Sequence, residues 1–306
     1  MQVRKDYMHV SDGHELYYVC YEPPNPIGHV HIIHGMAEHI ARYEEFAEYL
    51  ATRGFIVSGH DQRGHGRTAE RNGVKGYFAD QDGFSRVVED AQAVIDEVQQ
   101  ATGNLPLILF GHSMGSFVAR RYMQLYSEDI SRVVLSGTGG DPGASGKLGL
   151  AVAIASAKTQ GKQQTSKALG KMTFGSFNKP FIDESSPSAW LTRDKEAVAK
   201  YEADPWCGFE STNQFYVDLF TGLAVINKPS EINRIRKDLP VLLISGAMDP
   251  VGNNGKGVFS SAKQFDKAGM DNVKVYLAEQ GRHELLNELD RQFHFELIGD
   301  WMCGND

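Results

Sequence analysis

Short runs of β-branched and large apolar residues alternate along this chain with stretches whose apolar positions recur every three or four residues. HVHIIHG (29–35), FIVSGHD (55–61), LPLILFG (105–111) and SRVVLSG (131–137) read as buried strands bounded by glycine and polar residues. Between the first two, a helical pattern runs through Leu50, and Arg53-Gly54 stops it. Phe84, Val87, Val88, Ala91, Val94, Ile95 and Val98 follow helical spacing, as do Met114, Phe117, Val118, Tyr122 and Leu125. Strand and helix in alternation predict a mostly parallel central sheet flanked by helices, an α/β fold.

From about Asp141 to Lys237 that alternation stops. GLAVAIASAK, RDKEAVAKYEA and NQFYVDLFTGLAVI carry helical patterns, and no core strand is apparent between them. The alternation resumes with LPVLLISG (239–246) and VKVYLA (273–278), followed by a closing helix bearing Leu286, Leu289, Phe293, Leu297 and Trp301. The pattern predicts a core built from residues 1–140 and 238–306, with residues 141–237 inserted as a helical cap. No internal repeat or low-complexity segment is visible.

Composition narrows the function classes. Hydrophobic residues form 41% and charged residues 23% of the 306, an ordinary globular balance. With 31 Lys plus Arg against 39 Asp plus Glu, the net charge is -8, which argues against nucleic acid as a partner. Contact of the cap with a membrane surface, transient and through apolar residues, stays open. The N-terminal MQVRKDYMHVSDGHELYY lacks the apolar stretch of a secretory signal, and Leu148–Ala157 is too short to span a bilayer. Cys20, Cys207 and Cys303 show no metal or disulfide spacing and read as buried free thiols, hence a reduced, cytoplasmic protein.

The chemistry begins at FGHSMGS. A serine between two glycines, after an apolar strand and before a helix, fits a sharp nucleophile elbow whose flanking residues have no room for side chains. Serine at its free pKa is a poor nucleophile, so Ser113 needs a base and the base an orienting acid. Only two histidines follow it. His283 lies in a loop beyond the last strand, whereas His294 falls inside the closing helical pattern and reads as a surface position. Asp249 follows the strand 239–246 and is preferred as the acid. Its rival Asp141, also an Asp-Pro, reads as the turn that opens the cap. The backbone N–H groups of Met114, next to the serine, and of Met36, in the loop after the first strand, are the candidate oxyanion donors.

HGMAEHIARYEEFAEYLATRGFIVSGHDQRGHGRT, GHSMGS, SGAMDP and GRHELLNE together resemble the monoacylglycerol lipase and lysophospholipase branch of the α/β-hydrolases. HGxxEHxxRY and GHDxRGHG are far more specific than GxSxG. The resemblance spans the core at both ends of the chain, while the cap matches in size and helical character alone. It implies an α/β-hydrolase fold, no cofactor, and carboxylic ester hydrolysis through an acyl-enzyme. It carries the catalytic roles onto Ser113, Asp249 and His283, the oxyanion donors onto Met36 and Met114, and an acyl-binding role onto the apolar cap.

His34, His39, His60, Asp61 and His65 straddle two strand-end loops rather than one helix face, so no metal site is expected. Asp61 and Arg63 are expected to brace the loop beneath the site. Of the cap residues Met172, Phe174, Phe177, Phe181, Trp190, Phe215, Tyr216 and Phe220, most are expected to pack and some to line a pocket over Ser113. The reading is a serine esterase for a monoacylglycerol or a lysophospholipid. A short-chain esterase, thioesterase or serine peptidase shares the fold, and Asp183, Glu184, Glu202, Asp204 and Glu210 could serve a peptidase's amino-terminal pocket. A non-catalytic ligand receptor is the alternative from another class. The oligomeric state is not readable.

Overall fold

The structure is a computed structural model that describes residues 1–304. Eight strands, β1 (Gln2–His9), β2 (Glu15–Glu22), β3 (Gly28–Ile33), β4 (Phe55–His60), β5 (Leu107–His112), β6 (Ile130–Ser136), β7 (Val241–Gly246) and β8 (Val273–Ala278), form one sheet in the order β1-β2-β4-β3-β5-β6-β7-β8. β2 runs antiparallel to β1 and to β4, and β3 to β8 run parallel. The sequence pattern anticipated the six parallel strands; the N-terminal pair is the structure's addition. β2, LYYVCY, is buried on both faces, so it lacks the alternation that marks a half-exposed strand.

Eleven helices accompany the sheet among the described residues. Those of the core are α1 (Glu44–Thr52), α2 (Gly66–Asn72), α3 (Gly83–Thr102) and α4 (Met114–Tyr126). Between β6 and β7 lie α5 (Gly143–Gln160), α6 (Lys167–Phe174), α7 (Lys195–Ala203), α8 (Asn213–Ile226) and α9 (Pro229–Ile232), then α10 (Lys256–Lys267) and α11 (Arg291–Cys303) complete the chain. The period-two alternation of the strands divides the core. Val30, Ile32, Phe110, Val134, Leu242 and Ile244 face Phe46, Leu50, Phe295 and Ile298 of α1 and α11. Ile33, Leu107, Leu109, Val133, Leu135 and Leu243 face α3, α4 and α10 through residues such as Val87, Val118 and Phe265.

From β3 the chain first adds β4 on one side, then returns to place β5 on the other. The loops leaving β3 and β5 therefore diverge, and the crevice between them is where an open parallel sheet binds ligands. The loops after β7 and β8 open along the same C-terminal edge.

Three expectations are corrected. The final helix begins at Arg291, so its inner face is His294, Phe295, Ile298, Trp301 and Met302. Leu286 falls in a preceding 3₁₀ turn, while Leu289 and Phe293 are exposed. His294, expected on the surface, is fully buried. Of the thiols, only Cys20 is buried; Cys207 and Cys303 are partly exposed.

Asp61 and Arg63 brace the loop after β4. The Asp61 carboxylate accepts the Ile40 and Arg67 amides, each at 2.8 Å. Arg63, buried, pairs with buried Asp90 at 2.6 Å and with Asp12 at 2.7 Å. Asp90→Ala would leave that guanidinium with Asp12 alone, and removing one partner of a buried pair costs about 3 kcal/mol. Urea denaturation should show a lower midpoint with an unchanged slope.

Candidate active site

Ser113 sits between β5 and α4 with φ 53 and ψ -120, a backbone conformation that L residues rarely adopt. Holding it costs on the order of 1–3 kcal/mol, which the surroundings must supply. Its amide donates to the Ser136 carbonyl of the neighbouring strand at 2.8 Å. The flanking glycines follow from space: a Cβ on Gly111 would press into the Gly115 carbonyl, and one on Gly115 would overlap the carbonyl oxygens of Ile33 and His34. The elbow is thereby wedged against the loop leaving β3. Ser113 caps the N-terminus of α4, whose free amides and dipole favour negative charge.

The loop after β3 carries Met36. Its geometry is set from both sides. Gln62 donates its side-chain amide to the His34 carbonyl at 2.6 Å, and the Gln62 backbone N–H donates to His34 Nε2 at 2.9 Å. That leaves the His34 proton on Nδ1, where it reaches the Gly35 carbonyl at 2.7 Å. The Gly35 amide donates to Glu38 Oε1, which also accepts the Tyr43 hydroxyl at 2.7 Å. The backbone N–H groups of Met36 and Met114 meet no acceptor among the described residues. Both residues wall cavities that contain Ser113.

Asp249 and His283 meet over the ends of β7 and β8. His283 Nδ1 lies 3.0 Å from Asp249 Oδ1, with the ring N–H aimed off the oxygen. Free enzymes often hold such contacts loosely until substrate binds. Asp249 Oδ2 accepts the Ser245 hydroxyl at 3.0 Å, and Oδ1 accepts the Val251 amide at 2.8 Å. Gly246 permits this meeting, because a Cβ there would overlap the Gly281 and Arg282 carbonyls. Burial opposes a charge on His283, yet the Asp249 carboxylate outweighs it and holds the pKa above the ordinary 6.5. The imidazole lies between His112 and Trp190, with ring centroids 4.7 Å and 5.0 Å away. Asp141 instead accepts the Gly143 amide at 2.8 Å, in the turn that opens α5.

Two cavities converge on Ser113 and share Met36 and Phe174. One, about 510 Å³, is walled by His283, Trp190, Tyr216, Lys167, Lys171 and Glu210, among others. The other, about 620 Å³, holds Met114, Phe117, Phe177, Leu219, Phe220 and Leu223. Phe181 and Phe215 are packed away.

Glu38, Arg42, Glu284 and Trp190 had no assigned role in the sequence. Arg42 donates to Glu38 and, bidentately, to Glu284 at 2.8 and 2.7 Å, all three buried or nearly so. Burial opposes ionisation of both carboxyls, but Arg42 outweighs it and holds them below the usual range. The i,i+4 spacing of Glu38 and Arg42, and the adjacency of Glu284 to His283, were the available signals. Trp190 had none. His39, Asp204 and Cys207 bring metal-ligand atoms within 4.8 Å of one another, but His39 Nε2 is already bonded to Asp204 at 2.8 Å.

Residues 24–290 match the profile of the family described as serine aminopeptidase, S33. The chain is 26% identical to a monoacylglycerol lipase of Mycolicibacterium smegmatis over 281 residues, covering 92% of this chain and 90% of that one. It is 27% identical to the human monoglyceride lipase, covering 91% and 83%. The structure of a thermostable carboxyl esterase from Bacillus coagulans, in complex with glycerol, superposes with a TM-score of 0.92 at 27% identity over 99% of both chains. A profile match over most of the chain, on this sheet order, settles the family: the chain belongs to it, as a serine hydrolase of the carboxylic ester class with the α/β-hydrolase fold, grouped with the monoacylglycerol lipases.

Proposed function

We propose that this enzyme hydrolyses single-chain lipid esters, a monoacylglycerol or a lysophospholipid, through an acyl-enzyme on Ser113. The observation that carries the reading is the convergence of two cavities on Ser113, only one of which includes His283. His283 takes the Ser113 proton as the hydroxyl attacks the ester carbonyl, then protonates the departing alcohol. Asp249 holds the imidazole tautomer and steadies the imidazolium. The Met36 and Met114 amides receive the oxyanion, with the α4 N-terminus adding its dipole. Water then repeats the cycle and frees the acid.

Because the leaving oxygen must come within reach of His283, the alcohol occupies the cavity that contains it. The acyl chain then takes the other cavity, whose Phe, Leu and Met walls suit hydrocarbon. Residues 141–237 act as the cap that encloses both. The names of the relatives support a glyceryl ester and the superposed carboxyl esterase supports ester chemistry.

The family's description favours a second reading, an aminopeptidase, whose pocket would need free carboxylates for a substrate ammonium. Glu184 is committed to Arg282, Glu202 to the Ser186 hydroxyl and Asp204 to His39. Glu38 and Glu284 are neutralised by Arg42, and Asp183 lines neither cavity, which leaves Glu210 in one, 3.7 Å from Lys167, and Asp141 in the other, where it accepts the Gly143 amide. The ester reading needs no such group.

A fluorophosphonate probe should label Ser113, and Ser113→Ala should lose both the label and several orders of magnitude in turnover. Labelling that survives the substitution would place the nucleophile elsewhere.

Asp249→Asn should cut turnover by about four orders of magnitude, the scale of the same change in a serine protease, whereas Asp141→Asn should retain most of it. In the wild type, kcat/KM should fall on the acid side through a pKa above 6.5, since the base must be neutral and Asp249 favours its charged form. Losing that carboxylate leaves burial dominant, so the residual activity of Asp249→Asn should extend to lower pH. A limb that stays in place would remove Asp249 from the mechanism.

Each buried methylene contributes about 0.8 kcal/mol, so kcat/KM should rise by up to about fifteenfold per added carbon pair until the acyl cavity is full. Leu223→Phe should shorten that optimum and leave acetyl-ester turnover nearly unchanged. A flat profile would point to a small-substrate esterase.

A further inference from the structure

His39 lies three residues beyond Met36, at the end of the loop that carries this oxyanion donor. The residue is buried, its Nε2 bonds Asp204 Oδ2 at 2.8 Å, and its Nδ1 meets no partner. The ring proton therefore sits on Nε2, held against the carboxylate. Cys207 follows Asp204 in a turn closed by its own amide on the Asp204 carbonyl at 3.0 Å. That turn gathers imidazole, carboxylate and sulfur atoms within 4.8 Å of one another, a grouping with no second example among the described residues. Nothing in the sequence spacing announces it, because His39 and Asp204 stand 165 residues apart.

The surroundings suit a divalent cation. Asp204, Glu38 and Glu284 bear on the Cys207 sulfur as negative charges, against the guanidinium of Arg42. Burial pushes the thiol pKa well up, so Cys207 is protonated until something displaces the proton. Trp206 packs edge-on against the His39 ring at 5.1 Å and shields it from the Arg67 guanidinium, which lies 4.6 Å above the indole. Asp204 and Cys207 are partly exposed. A cavity of about 220 Å³, walled by Asp204, Tyr201, Lys200 and Arg291 and separate from the two that reach Ser113, gives an ion and its water a way in.

We propose that His39, Asp204 and Cys207 form a reversible inhibitory site for Zn²⁺. The ion takes the place of the proton between His39 and Asp204, the ring proton passes to Nδ1, and the thiol proton leaves to solvent. Binding thus releases one proton per ion. Zinc bonds of about 2.0 Å to nitrogen and oxygen and about 2.3 Å to sulfur set the ligand atoms roughly 3.5 Å apart. The sulfur must then close in, and the His39–Asp204 contact must widen. Imidazole and thiolate favour Zn²⁺ or Cd²⁺ over Mg²⁺ or Ca²⁺, which take oxygen ligands. Three ligands, with an Nδ1–H that finds no acceptor, make this a weaker site than a structural zinc.

Those shifts reach the active site. The Gly208 amide and the Tyr201 hydroxyl both donate to the Ala37 carbonyl, at 2.9 and 3.3 Å. Tyr201, Gly208, Phe209 and Glu210 also wall the cavity that holds His283. An ion bonded to His39 on one side and to residues 204 and 207 on the other fixes the Met36 loop to the helical block in an altered register. The oxyanion donor and the alcohol's cavity are displaced together, and turnover slows.

Binding is measured apart from catalysis, by calorimetry of the Ser113→Ala protein with Zn²⁺ in two buffers that differ in heat of ionisation. One ion should bind and one proton should be released. Cd²⁺ should give a thiolate charge-transfer absorption that Cys207→Ser abolishes. With Ser113 intact, Zn²⁺ should slow hydrolysis of a water-soluble acetyl ester, EDTA should restore it, and Mg²⁺ or Ca²⁺ should do nothing. Cys207→Ser should keep the metal-free rate, which verifies folding, and weaken zinc binding and inhibition by roughly tenfold or more, the scale on which even outer partners matter to a metal site. Asp204→Asn should weaken both as well. No binding, binding without proton release, or binding that leaves the rate unchanged would overturn the proposal. So would inhibition undiminished in Cys207→Ser, because zinc would then be acting on His283 and Asp249.

Discussion

Arg42 holds the site together. Its guanidinium reaches Glu38, whose carboxylate fixes the Gly35 amide and with it the loop bearing Met36, and Glu284, the residue after His283. It also lies over the Tyr201 ring of α7, 4.9 Å from the centroid, so the helical block between β6 and β7 joins the same cluster. Two carboxylates and one guanidinium out of water are stable only together, since removing any one strands the others in a low-dielectric setting. Such a cluster resists gradual deformation. It is either assembled, with the Met36 loop, His283 and the helical block in register, or broken at a large cost.

Around that anchor, the parallel sheet decides where the chemistry can sit. The change of direction after β4 separates the loops that follow β3 and β5, and the strained serine points into the gap between them. The elbow is held by close backbone approaches and one side-chain bond: Gly115 lies against the end of β3, the Ser113 amide is tied to β6, and the Ser116 hydroxyl donates to the Ser113 carbonyl at 2.5 Å. At the far end, backbone bonds from His283 to Trp190 and from Glu284 to Leu191 lace the loop after β8 to the helical block. Arg282 strengthens the lacing by donating to the Ala189 carbonyl and pairing with Glu184. The stretch around 184–194 is thus continuous with the site, while α5 packs on α8 through its Gly149 and Ala153 face.

The parallel strands were legible because each is a short apolar run closed by glycine or polar residues. β1 and β2 were not, for the first is exposed along most of its length and the second buried on both sides, so neither shows a period of two. The register of the last helix was misread because Leu286 and Leu289 extend a helical spacing across a segment whose backbone turns at Glu288 and Asp290. Ser113, Asp249 and His283 could be singled out because each follows a strand at the same edge of the sheet. Arg42 and its partners left only the i,i+4 spacing of Glu38 and Arg42, because the cluster is completed by Glu284, 242 residues further along the chain. Trp190 was one aromatic among many until the fold set it on the His283 ring.

The central claim is that Ser113 carries the acyl group while the alcohol departs on the His283 side. Rapid mixing with the aryl ester of a fatty acid tests it most directly, followed by mass mapping of the quenched protein. The account predicts a burst of one equivalent of alcohol per enzyme whenever deacylation is the slower step, and an acyl adduct on the peptide containing Ser113. Steady turnover with no adduct on that peptide under a demonstrated burst, or an adduct on another residue, would contradict it.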